Sequence, residues 1–127
     1  TQGIYFMTTS FSDKDHLMIH MLVQSVVDWH KARNLIDGAT DKDQVLKLIQ
    51  EVGELSDNVC KGQDIRDDIG DIMVVLINIM ARNGLTLEEC LEVAYDDIKD
   101  RKGRMVDGIF IKEADERPVD SVPYRHR

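Results

Sequence analysis

Between residues 13 and 103 the chain repeats apolar residues at three- and four-residue steps, and no proline interrupts them. That period belongs to helices that bury one face, and four helices are predicted. The first covers about 13–34, with Ile19, Leu22, Val26 and Trp29 on one stripe. The second covers about 43–61, with Val45, Leu48, Val52, Leu55 and Val59 as its buried face and Gly62 at its end. The third, about 65–83, differs in kind: Ile72, Met73, Val74, Val75, Leu76, Ile77, Ile79 and Met80 leave almost no polar side. A helix apolar all round must be covered all round. One short domain hardly achieves that alone, so the pattern predicts a partner subunit. Asn83-Gly84 stops this helix, and Thr86 with Glu89 has the spacing of a capping box for the fourth. Leu87, Leu91, Ala94 and Ile98 mark the fourth helix's buried stripe, with Gly103 as its carboxyl-terminal cap.

The expected architecture is therefore all-α: a four-helix core over 13–104 that assembles as a homodimer or a dimer of dimers. Pro118 and Pro123 both fall in the tail, so 105–127 is expected to be extended or irregular. Met7 looks like a natural start, which makes 1–12 a disordered or vector-derived N-terminus.

Composition narrows the class. A chain of 127 residues, 43% apolar and 31% charged, has the size and balance of one globular domain. Its longest apolar run, 72–81, is interrupted by Asn78 and falls short of the roughly 20 residues a membrane span needs. No secretory signal is visible, and a cytoplasmic location follows by default. Cys60 and Cys90 form neither a disulfide framework nor a zinc spacing. A formal charge of −8 argues against nucleic acid as partner, because such proteins need basic patches to displace counterions. An acidic protein still binds phosphates when a divalent cation stands between the two.

The acids suit such a cation. Glu51-Val52-Gly53-Glu54 lies in the second helix, and Asp67-Asp68-Ile69-Gly70-Asp71 opens the third. Residues three apart project the same way from a helix, so Glu51 pairs with Glu54 and Asp68 with Asp71. Both pairs border apolar stripes, where like charges repel and partial burial raises the cost. If the helices are antiparallel neighbours, four carboxylates converge, and Mg²⁺ is the hard cation held by such oxygens, waters and phosphates. The plain alternative is a set of solvated acids, since 24 acidic residues make such spacings common by chance. Gly53 and Gly70, each inside a helix and one place before the second acid of its pair, point instead to close helix approach at a site.

Glu51-Val52-Gly53-Glu54-Leu55 followed by Asp68-Ile69-Gly70-Asp71-Ile72 resembles the E-x-x-E…E-x-x-D signature of MazG-like all-α nucleoside triphosphate pyrophosphohydrolases. The likeness runs through the apolar third helix and 94–103, over most of residues 20–113, and looks closest to small single-domain members from phages and gene cassettes. Two positions depart from the pattern. Asp68, with Asp67 as a rival, stands where the family usually has glutamate, and Gln50 stands where a further glutamate often precedes the first acid.

The resemblance implies hydrolysis of an NTP or dNTP to monophosphate and pyrophosphate. Mg²⁺, with Mn²⁺ as a substitute, would be held by Glu51, Glu54, Asp68 and Asp71, and Glu51 or Glu54 would act as the base. Lys99 and Arg101 are expected to clamp phosphate, with Lys47 and Lys102 behind them; a helix-dipole role explains Lys99 and Arg101 equally well. Trp29 is a candidate to stack on the base or a core residue, and His30 reads as surface. Asn78 would contact the nucleotide or bond across helices, and Tyr95 would line a pocket or pack. No histidine lies three residues after a glutamate, against a di-iron site, and His16 and His20 lack the zincin glutamate between them. Two other readings stay open: a non-catalytic helical dimer retaining the fold, and a dUTP- or dCTP-specific relative.

Overall fold

The computed structural model describes residues 12–113; the expectations for 1–11 and 114–127 lie outside the described residues. Among the described residues there are four α-helices: α1 (Asp13–Ala32), α2 (Asp41–Cys60), α3 (Arg66–Arg82) and α4 (Leu87–Ile98). Two short strands follow, β1 (Gly103–Val106) and β2 (Ile109–Lys112). The described residues are mostly helical, as expected, with a two-stranded hairpin after the helices. No single described helix is long and apolar enough to cross a membrane.

The helix starts follow local chemistry. Ser12 caps α1: its Oγ accepts from the Asp15 N–H at 3.1 Å, and Asp15 Oδ2 accepts from the Ser12 N–H at 3.3 Å. This reciprocal pair satisfies two amide hydrogens that the first turn would leave unpaired. Thr40 Oγ1 does the same for the Asp43 N–H at the start of α2, at 3.1 Å. Asn83 and Gly84 end α3, with Gly84 at φ +68°, a left-handed conformation that suits glycine.

The chain divides into two compact units, the first running to Leu87 and the second from Glu88 onward. In the first, α3 packs against both α2 and α1. Its interior is unusually polar. Among the described residues Val75, Ile77 and Met80 are the buried apolar side chains, and His30, Glu51, Asp68 and Asn78 are buried beside them. Buried polar groups are costly unless partnered, so each of those four has to be accounted for.

Two of them stitch α1 to α3. His30 Nε2 lies 3.0 Å from the Val74 carbonyl, and Nδ1 lies 3.3 Å from Asn78 Nδ2. Nε2 therefore donates to the carbonyl and Nδ1 accepts from the amide. Asn78 Nδ2 also donates to the Leu35 carbonyl at 2.8 Å. The interhelical role for Asn78 is thus the one observed, and the side chain is fully buried. Adjacent Trp29 and His30 exchange their expected places: His30 is 3% exposed and Trp29 46%. Both histidine nitrogens find partners inside, which removes the cost of burying the ring.

Arg82 closes the same region. Its Nε donates to the Ile36 carbonyl at 3.0 Å, one terminal nitrogen donates to the Ala39 carbonyl at 2.6 Å, and the other pairs with Asp41. Asn83 Nδ2 donates to both Asp41 oxygens, at 3.1 and 3.2 Å. The α1–α2 connection is therefore fastened to the end of α3.

Two packing expectations change. Along 71–82 no residue of α3 is exposed, and most of this stretch is half-buried. The uncovered apolar surface lies elsewhere: Leu17, Met18, Met21 and Leu22 on α1, and Val45, Leu46, Ile49, Val52 and Val59 on α2. The expected buried stripe of α2 is only half inside, because Leu48 and Leu55 are half-buried while Val45, Val52 and Val59 are exposed. The inward face of α2 is Gln44, Leu48, Glu51, Leu55 and Asn58.

In the second unit, Gly103 opens β1 instead of capping α4, which stops at Ile98. β1 pairs antiparallel with β2, Val106 opposite Ile109. Asp107 and Gly108 form the two-residue turn at φ +51° and +81°, the double left-handed geometry that matches strand twist and favours Asp-Gly.

Candidate functional site

The inward stripe of α2 carries Glu51 and Asn58 toward α3, where Asn58 meets Asp68; farther along α3, Asn78 turns to α1. Glu51 is 7% exposed and Asp68 8%. Lys47, one turn before Glu51, places its Nζ 3.2 Å from Glu51 Oε1. Asn58 Nδ2 lies 3.0 Å from each carboxylate oxygen of Asp68. Asp67, its rival, is exposed. Helical rotation of about 100° per residue decides between these neighbours: Asp68 falls on the α2-facing side.

The acids influence one another. Glu54 is exposed, yet its carboxyl is pushed above the usual range, first by the charge of Glu51, then by partial desolvation and a hydrogen bond with Glu51, with Asp68 adding to the effect. Asp71 is pushed up by desolvation first, then by the charges of Asp67, Glu51 and Asp68. Lys47 opposes both shifts. All four acids expected from the sequence thus share one electrostatic neighbourhood, with Lys47 as the cation acting on it.

Among the described residues, no three His, Cys, Asp or Glu side chains form a ready cage for a metal ion. The donor chemistry still fits Mg²⁺, which takes one or two carboxylates and keeps its remaining positions for water and phosphate.

A Cβ at Gly53 or Gly70 would meet nothing within 4 Å, so neither marks a close helix approach. An open groove of about 460 Å³ adjoins the acids, lined by Leu22, Ser25, Val26, Trp29, Asp71 and Val74. Trp29 forms part of its wall, and the Arg33 guanidinium lies 4.2 Å from the indole centroid. The groove thus brings the aromatic ring expected to stack on a base to the same cleft as one acid.

Lys99 and Arg101 lie in the second unit. Each pairs with a nearby acid, Lys99 Nζ with Asp96 at 3.2 Å and Arg101 with Asp97 at 2.9 Å. Two residues of the site were missed from the sequence. Asn58 carried a readable signal, since it lies seven residues after Glu51 and so on the same helical face. Ser25 carried none.

No family model matches the chain, and no solved structure matches it. A segment of 67 residues, 51% of the chain, is 34% identical to an uncharacterized 18.2 kDa protein from the rep–hol intergenic region of Haemophilus phage HP1. The match spans 41% of that phage protein's length.

Proposed function

We propose that this chain is a Mg²⁺-dependent nucleoside triphosphate pyrophosphohydrolase whose reacting phosphates bind over Glu51, Glu54, Asp68 and Asp71. The observation that carries this reading is the burial of Glu51 on α2 and Asp68 on α3, whose charges reach Glu54 and Asp71 and are opposed by Lys47. Two buried carboxylates with like-charged neighbours are expensive to keep, and a divalent cation relieves that cost. Bound Mg²⁺ would neutralise charge at the phosphates and activate the attacking water. Glu54, the exposed member of the α2 pair, accepts that water's proton. Lys47 turns from Glu51 to the phosphates. The base lies along Trp29 in the groove beside Asp71, on a ring face that tolerates any nucleobase.

Self-association belongs to the same reading. The exposed apolar stripes of α1 and α2 suit a second copy, giving a homodimer or a dimer of dimers. A non-catalytic helical dimer is the second reading, favoured by the short Asp68 and by Gln50 in place of a further acid.

The deciding experiment measures pyrophosphate release from a panel of NTPs and dNTPs with Mg²⁺, for the parent and for Glu54→Gln. Release by the parent and its loss in the variant supports the enzyme and ranks substrates. Folded parent protein that releases none from any nucleotide favours the non-catalytic dimer.

A further inference from the structure

We infer that Asn58 is a positioning residue: it holds Asp68 as the metal-facing acid of α3. The inference rests on the proposed metal site and extends it to a residue outside the acid signature. Asp68 is 8% exposed and lies one turn before Asp71, another acid of the site. A buried carboxylate in such company turns away toward solvent unless a donor holds it. Asn58 is the donor observed. Its Nδ2 reaches both Asp68 oxygens at 3.0 Å, and Asn58 is itself half-buried on the inward stripe of α2. Each carboxylate oxygen accepts more than one contact, so the amide leaves lone pairs available to a cation. The short aspartate arm has little freedom once fixed in this way, and its reach toward a cation is then set by where α2 places Asn58. Asp67 has no such holder among the described hydrogen bonds and faces solvent.

The test uses the full chain and Mn²⁺ as probe, with binding read from loss of the free-ion electron paramagnetic resonance signal. Asn58→Leu keeps the volume and removes the donor; Asn58→Ala serves if leucine packs badly, and Asn58→Gln keeps an amide. Outer-shell partners of metal ligands typically contribute about 10- to 100-fold in affinity, so Leu and Ala are expected to weaken Mn²⁺ binding by about 10-fold or more. Gln is expected to restore most of it. Metal-free melting of the variants, measured alongside, separates a positioning effect from unfolding. The inference is overturned if folded Leu and Ala variants bind Mn²⁺ within about twofold of the parent, a result that leaves the metal site itself standing. Parent protein that binds no Mn²⁺ overturns the metal site and this inference together.

Discussion

Replacing Arg82 with methionine tests whether the α1–α2 connection depends on one side chain. Met keeps much of the apolar stem and removes every donor. Two charge-assisted bonds to the Ile36 and Ala39 carbonyls vanish, along with the pair to Asp41. Hydrogen bonds to charged groups contribute roughly 1.5–3 kcal/mol each. Ile36 and Ala39 are half-buried, so water reaches them in part and the lower end applies, about 3 kcal/mol for the two. The Asp41 pair adds less than about 1 kcal/mol, because that carboxylate is half exposed, and Asn83 still holds it. For a domain of this size about 3 kcal/mol lowers Tm by roughly 10 °C. Urea denaturation and thermal melting both read the change. Asp41→Asn is the control and should cost under about 1 kcal/mol. An Arg82→Met protein within about 1 kcal/mol of the parent would refute the argument that this guanidinium fastens the connection.

Four other outcomes follow from the site and the surface. Glu54→Gln should raise the metal-free Tm while abolishing pyrophosphate release, because Glu51 disfavours ionised Glu54 in the fold; a lower Tm would count against the cluster. Both Glu54 and Asp71 bind protons more readily when folded. Their contribution is therefore complete below the ordinary carboxylate range and is lost as pH rises through the raised folded values. Metal-free Tm should fall as pH rises from mild acidity toward neutral, and Glu54→Gln/Asp71→Asn should flatten that slope in a pH-resolved melt. Mg²⁺ at about 100 times its Kd should stabilise the parent by about 2.7 kcal/mol, seen as a Tm increase that the same double variant lacks. If the exposed stripe of α2 joins two copies, Ile49→Glu should lower the mass of the parent's assembly in analytical ultracentrifugation; a parent of monomer mass, or an unchanged mass in the variant, would refute that contact.

The helices and the two acid pairs were legible because they rest on spacing alone. Glu51 and Glu54, and Asp68 and Asp71, share a face at any rotation of their helices. The rotation of α2 was not legible. Val45-Ile49-Val52 and Leu48-Leu55 form overlapping apolar stripes, and periodicity does not say which one its own chain covers. Trp29 and His30 show the same limit one residue apart. Apolar size favoured burying the indole, whereas the observed order follows the partners available at Val74 and Asn78. The hairpin was written in Asp107-Gly108 between apolar pairs, but the segment reads as an irregular tail if the two strands are not weighed together. Asn58 escaped notice because its role exists only once Asp68 lies opposite.

The contacts that secure the α1–α2 connection join residues 43 to 48 apart in sequence, whereas Asn58 and Asp68 are 10 apart. Closing the longer loops costs more chain entropy before any contact repays it. The two ends of α3 therefore differ in when they form. Its amino-terminal acids meet α2 through a short excursion of chain, while Asn78 and Arg82 must wait for α1 to return. In stopped-flow refolding, Arg82→Met should mainly speed the unfolding limb of the chevron, and Asn58→Ala should mainly slow the folding limb. The acid end of α3 would then be in place before the end that fastens the α1–α2 connection.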